Sequence, residues 1–201
     1  MIAIVDYGVG NVIAIANMLK KIGAASVITN NAQQISEASK IILPGVGAYN
    51  TAMEELENLQ LKNVLNEKVL VQKTPVLGIC LGMQLMTNGS EEGTIKGFGW
   101  IPAYTYKFST AGGLKVPHMK WNYVEQMQNS LLTNELELQS KFYFVHSYFV
   151  KVENKDHSVL QTEYGVRFDA AIQKENVYGV QFHPEKSHKY GMKILSNFVN
   201  I

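Results

Sequence analysis

The stretch Val76-Leu77-Gly78-Ile79-Cys80-Leu81-Gly82-Met83-Gln84-Leu85-Met86 leaves this chain few ways to fold. It reads as a short buried strand, a sharp turn and the start of a helix. The only cysteine sits at the turn. Glycines two before and two after Cys80 match the spacing of a nucleophile elbow, with sulfur in place of oxygen. A residue at such a turn is held in a strained backbone conformation, and side chains at positions 78 and 82 would collide around it. The thiol would lie at a helix N-terminus, where unpaired N–H groups favour the thiolate. The N–H of Leu81 would face a developing oxyanion. A lone cysteine in an α/β chain is also a common inert core residue, so a second signal is needed.

That signal lies far downstream. Val177 to Phe182 reads as a strand running into His183-Pro184-Glu185. A base and a carboxylate two residues apart at a strand end project to the same side, and Pro184 stiffens the exit. Thiol, imidazole and carboxylate supply a nucleophile, its general base and the group that orients the base. An ordinary turn after a strand is the plainer alternative.

The order of the elements sets the fold. Ile2 to Val5 reads as a buried strand, followed by a helix with Asn11 as N-cap, Val12, Ile15, Leu19 and Ile22 on one face, and Gly23 at its end. Gly8-Val9-Gly10 invites a dinucleotide-binding reading, but Ile13 stands where the third glycine is required. Ser26 to Thr29 and Ile41 to Leu43 read as further strands, the latter ending at Pro44-Gly45-Val46-Gly47. The amides of that turn can face a ligand and complete an oxyanion hole; without the elbow it is simply a strand-to-helix turn. Positions 48–56 and 61–72 read as helical. Strand and helix thus alternate as far as Met86, which implies a mostly parallel sheet flanked by helices, with reactive loops at the carboxyl ends of its strands. From Phe98 onward strands dominate: 100–108, 123–126, 142–150, 158–162, 170–173 and 177–182. These are expected as added antiparallel strands on one domain spanning 1–201, closed by a helix over 191–200.

Several clusters stay open. Gln84 lies one turn beyond Cys80 and can face whatever the thiol attacks. Ser90-Glu91-Glu92 is either a solvated turn or a carboxylate site for an ammonium group. His146, in a strand of aromatic and β-branched residues, reads as structural. Pro117 to Asn122 reads as a loop, with Trp121 in the core or at an interface.

Composition removes other classes. With 17% charged residues and a formal charge of +1, no basic surplus points to nucleic acid or an anionic membrane. One cysteine excludes an intramolecular disulfide and any multi-cysteine metal site. No basic leader or membrane-length apolar run is visible, so a soluble cytoplasmic protein without cofactor or metal is expected.

Gly78 to Gln84 together with Gly179 to Ser187 resembles the class I (triad-type) glutamine amidotransferases, whose fold is a flavodoxin-like central sheet. Pro44 to Gly47, Ser90 to Glu92, Pro117 to Met119 with Trp121-Asn122, and Tyr143 to Tyr148 narrow the likeness to the HisH branch, the glutaminase subunits of imidazole glycerol phosphate synthase. The resemblance covers nearly the whole chain. It implies Cys80 as nucleophile, His183 as base and Glu185 as orienting acid. Glutamine contacts follow from Gly47, Gln84, Glu92, Ser147 and Tyr148, and oxyanion donors from the backbone of Val46, Gly47 and Leu81. It further implies a separate (β/α)8 barrel synthase of the HisF type that receives the ammonia for histidine biosynthesis, with Asn11, Trp121, Tyr143 and Lys186 near the docking surface. One position departs from that pattern: Lys120 stands where the branch has glycine. A relative feeding a different synthase, such as one amidating a surface sugar, is the alternative, and a cysteine hydrolase or peptidase with the same elbow is the second.

Overall fold

The computed structural model describes residues 1–201. Its first half runs β1 (Ile2–Val5), α1 (Val12–Ile22), β2 (Ser26–Thr29), α2 (Ala32–Glu37), β3 (Lys40–Leu43), α3 (Tyr49–Asn58), α4 (Leu61–Asn66), β4 (Val76–Ile79) and α5 (Leu81–Leu85). Asn11 caps α1 by accepting from the Ala14 amide, and Gly23 ends it in the left-handed conformation at φ +85°. The second half adds β5 (Ala103–Lys107), β6 (His118–Tyr123), β7 (Glu125–Gln126), β8 (Lys141–His146), β9 (Tyr148–Val152), β10 (Ser158–Tyr164), β11 (Val166–Lys174), β12 (Val177–Val180) and α6 (His188–Asn200).

The main sheet has the order β2-β1-β3-β4-β12-β11-β10-β7. From β2 to β12 neighbours are parallel; from β12 to β7 they are antiparallel. β9 pairs with both β5 and β11, so the antiparallel strands form a lobe continuous with the parallel part. Strand residues alternate between two apolar layers. Ile2, Ile4, Ile42, Leu77 and Ile79 pack with Ile15, Leu19, Ile194 and Phe198 of α1 and α6. Ala3, Val5, Ile41, Leu43 and Val76 pack on the other side with Met53, Leu56, Leu61 and Leu65 of α3 and α4. Each large aliphatic side chain so buried contributes about 1.5–3 kcal/mol.

For the site, the decisive pairing is β4 beside β12. The parallel register Ile79↔Val180 places the two carboxyl ends side by side. The Cys80 amide continues the ladder by donating to the Val180 carbonyl at 2.7 Å. Residues a hundred positions apart therefore leave the sheet next to one another.

Four sequence expectations are corrected. Positions 117–122 are not a loop: His118–Tyr123 is a strand, paired antiparallel with β8 in a separate two-stranded sheet. The run 142–150 is not one strand but two, broken at Ser147, with β8 in the small sheet and β9 in the large one. The final helix begins three residues earlier than expected, at His188, and the helix expected over 61–72 changes to a π-helical turn at Glu67–Val71. No helix is long and apolar enough to cross a membrane.

Candidate active site

Cys80 occupies the turn between β4 and α5 at φ 54°, ψ −108°, a conformation that a residue with a side chain holds only under constraint. The constraint is steric. A Cβ on Gly82 would lie 1.8 Å from the Leu43 carbonyl oxygen, and one on Gly78 would lie 2.7 Å from the backbone of Gly82 and Met83. Glycine at both positions lets α5 approach β3 and β4 closely enough to turn the chain at Cys80.

His183 follows β12 and is 1% exposed at its side chain; its Nδ1 meets Glu185 Oε1 at 2.8 Å. With Nδ1–H donating to that carboxylate, Nε2 is the ring nitrogen left to exchange a proton with the Cys80 side. Nε2 is buried beside Cys80 and makes no well-formed hydrogen bond; the Glu185 Oε2 oxygen is also unpaired. Burial opposes a charge on the ring, but the neighbouring Cys80 sulfur and the Glu185 carboxylate outweigh it, so the His183 pKa is raised. The turn carrying the base is pinned to β8: the His183 amide donates to the Tyr143 carbonyl at 3.0 Å, while Ser187 Oγ donates to the His183 carbonyl at 2.6 Å and accepts from the Tyr143 amide at 3.0 Å.

A cavity of about 520 Å³ opens over the thiol. Its walls include Cys80 and every residue expected to contact substrate: Gly47, Gln84, Glu92, Ser147 and Tyr148. Val46 and Leu81 line it as well. The larger cleft between Gln126 and Gln173, about 690 Å³, holds no cysteine or histidine, its Ser130 hydroxyl is bonded to Gln173, and its one carboxylate, Glu135, is paired with Lys193. Glu92 sits in the cavity wall with its pKa raised by burial, an effect partly offset by the Tyr49 backbone amide. A partly desolvated carboxylate of this kind suits a substrate ammonium group. The Leu81 amide is not free: it donates to the Gly45 carbonyl, at a long 3.4 Å. Gly47 takes φ +121°, and Tyr7, whose hydroxyl donates to the Pro44 carbonyl, supports this loop from beneath.

The residues expected at a docking surface divide. Trp121 and Tyr143 pair across the small sheet and meet edge-to-face at 6.0 Å, with the His188 ring stacked on Trp121 at 5.5 Å. The Lys186 ammonium lies 5.9 Å from the Tyr143 ring, and its side chain reaches the cavity rim. Asn11 is exposed at the start of α1, and α1 packs against the turn at Pro184–Lys186. Lys120 alternates onto the opposite face of β6 from Trp121, and its ammonium covers the Tyr164 ring at 4.9 Å. The unusual cation is thus exposed over Tyr164, away from the Trp121 face.

One buried residue of the site, Gln181, and the link between His118 and His146 escape a reading of the sequence alone. Gln181 lies between Cys80 and Gln84, donating to Sγ at 3.6 Å and accepting from Gln84 Nε2 at 3.2 Å. The one signal for it was an amide in an otherwise apolar strand two residues before the base. His118 and His146 form a second polar link, Nδ1 to Nε2 at 3.0 Å, behind the Ser147–Tyr148 wall. Burial, helped by the Lys120 charge, pushes His118 down to about 4. Burial likewise pushes His146 down to about 3, against the pull of the Tyr148 carbonyl and with the His118 and His183 charges adding to the fall. Both rings are neutral, and His146 is structural, as its strand context suggested.

Fold and site together place a buried cysteine, a histidine and a glutamate at the carboxyl edge of the parallel part of an α/β sheet. Residues 3–201 match the class-I glutamine amidotransferase family, and the chain belongs to it. The chain is 54% identical to imidazole glycerol phosphate synthase subunit HisH 2 of Methanococcus maripaludis, over 99% of this chain and 98% of that one. It is 44% identical to subunit HisH 2 of Pseudomonas aeruginosa and 46% identical to subunit HisH of Bdellovibrio bacteriovorus, each over the full length of both chains. Among solved structures, PurLQS from Thermotoga maritima superimposes with a TM-score of 0.75 over 99% of this chain and 97% of that one at 19% identity. A crystal structure of a glutamine amidotransferase gives the same TM-score of 0.75 over 99% of each at 14% identity. At those identities the likeness speaks for the fold alone.

Proposed function

We infer that this chain is the glutaminase subunit of an imidazole glycerol phosphate synthase. Cys80 attacks the side-chain amide of glutamine, His183 protonates the departing ammonia, and water activated by the same imidazole then cleaves the thioester to glutamate. Glu185 holds the ring and offsets its charge. Glu92 takes the substrate ammonium, and Gln84, Gly47 and the Ser147–Tyr148 main chain fix the rest of the molecule. The amides of Val46, Gly47 and Leu81 stabilise the oxyanion, for which Leu81 exchanges its long bond to Gly45. The observation that carries this reading is the single cavity containing the thiol together with all five expected glutamine contacts.

Ammonia set free in water is mostly protonated and no longer a nucleophile, so it has to pass directly to an acceptor site. The outer face of the small sheet is where a synthase docks. Met119 and Tyr123 are exposed there beside Trp121 and Tyr143, and Val145 and Lys186 carry the surface to the cavity rim. The partner is a (β/α)8 barrel of the HisF type, as the resemblance to the HisH branch implies; the relatives are named as subunits of imidazole glycerol phosphate synthase, which supports a second subunit. Glutamine hydrolysis measured with and without that synthase and its ligand tests the coupling: stimulation of at least tenfold is expected, and equal turnover in both overturns it. Two of the relatives are numbered 2 in their names, which favours, as a second reading, a paralogue feeding a different synthase. Affinity capture with the full chain separates the two by whether the histidine-pathway barrel or another synthase is recovered.

A further inference from the structure

Gln181 is fully buried at the end of β12 and has no part in the triad. An amide in an apolar interior is costly unless both its ends are paired, and both ends of this one are spent on the site. Its Nε2 is 3.6 Å from Cys80 Sγ and its Oε1 is 3.2 Å from Gln84 Nε2.

The neighbours dictate which way the amide faces. Gln84 Nε2 also donates to the Tyr148 carbonyl at 3.2 Å, so Gln84 presents its NH2 group to Gln181 and Gln181 must turn its own toward sulfur. The Tyr148 carbonyl accepts in addition from His146 Nδ1 at 2.7 Å. That bond fixes the His146 tautomer, so that His118 Nδ1 donates to His146 Nε2 at 3.0 Å and His118 Nε2 faces the Asn122 amide at 3.4 Å. A polar chain with one self-consistent set of donors therefore runs from β6 to the nucleophile, and flipping the last amide would break the bonds behind it.

We propose that Gln181 is a positioning residue of the glutaminase reaction: its N–H holds the Cys80 sulfur in the rotamer that faces His183 and the cavity, and stabilises the sulfur in its anionic form. A donor aimed at an anion favours that anion, and sulfur bound at a fixed point is already placed for attack. The other titratable groups around the sulfur are His183 with Glu185 after β12, the Tyr7 hydroxyl after β1, already committed to the Pro44 carbonyl, and, in the cavity walls, Glu92, Tyr148, Lys186 at the rim and His146, whose Nδ1 is committed to the Tyr148 carbonyl. None of them duplicates a neutral, fixed donor.

The proposal rests on the glutaminase reading, and the test keeps the two apart. Because Cys80 is the only cysteine, alkylation by iodoacetamide as a function of pH reports one thiol. In full-length Gln181→Met the alkylation midpoint should rise by about one pH unit. Glutamine turnover of the synthase complex should lose about tenfold to a hundredfold in kcat with KM within about twofold. Gln181→Glu keeps the size of the side chain, provides the same test should the methionine variant not fold, and should move the midpoint further because it sets a carboxylate against the sulfur. Midpoint and kcat within about twofold of wild type, or a lowered melting temperature as the only change, would overturn the role. A wild-type chain that alkylates but never hydrolyses glutamine would instead sink the glutaminase reading.

Discussion

The two walls of the cavity come from the two halves of the chain and hold their groups by opposite means. On the first wall, backbone geometry places Cys80, Leu81 and Gln84: a strained turn is forced by the approach of Gly82 to the Leu43 carbonyl. On the second, the Ser147–Tyr148 main chain lies at the break between β8 and β9 and is held by side chains, through the neutral His118–His146 pair. The first wall is therefore sensitive to added volume and the second to added charge.

Four measurements sharpen or break that contrast. Cys80→Ala should lower glutamine-dependent synthesis by about 10⁴-fold or more while synthesis from added ammonia continues; parallel loss of both activities would show that the division of labour is wrong. Gly82→Ala should destabilise the fold by about 3 kcal/mol or more, read as a shift in denaturant midpoint, because the new methyl group meets backbone and not a movable side chain. An unchanged midpoint would remove the steric account of the elbow.

The second wall should fail in acid. A histidine whose folded pKa is depressed takes up protons on unfolding, so its stabilising effect is complete above the unfolded value of about 6.5 and is lost as pH falls toward the folded one. For His118 and His146 that window runs from about 6.5 down to about 4 and about 3. Stability should fall there by up to about 1.4 kcal/mol per pH unit for each ring, about 2–3 kcal/mol per pH unit where both titrate, and His118→Phe should about halve the slope. His183, with its pKa raised, contributes in full below about 6.5, so it does not mask this window. A flat stability profile from pH 6.5 to 5 would show that the pair is not held neutral.

The smallest effect tests Glu92, which faces the cavity from the elbow's side of the chain. Glu92→Gln should raise KM for glutamine about tenfold by removing the partner of the substrate ammonium. The fold should be no less stable at neutral pH, because burial already disfavours the native carboxylate above its raised pKa. A variant with wild-type KM would remove Glu92 from the binding site.

The first half was legible because its signals are local: apolar runs, an N-cap at Asn11 and glycine spacing around Cys80 each describe consecutive residues. The second half hid two features. β6 read as a loop because the usual alternation is inverted: the face that carries buried His118 continues with polar Lys120 and Asn122, while the apolar and aromatic Met119, Trp121 and Tyr123 lie on the face turned to solvent. The break at Ser147 lay within an unbroken run of strand-forming residues, and nothing local separates β8 from β9 when each pairs with a different sheet.

The amino-acid order by itself determined the strand-turn-helix at Cys80, the alternation that builds the parallel sheet, and the presence of a thiol at the turn and of an imidazole and a carboxylate two residues apart, since each depends on residue type and short spacing. Only the tertiary structure decided that Ile79 and Val180 are neighbours in register, that the amide of Gln181 reaches the sulfur, and that Lys120 turns away from Trp121. Those facts depend on strand pairing and on which face of a strand is covered, and both are settled by contacts between segments far apart in the chain.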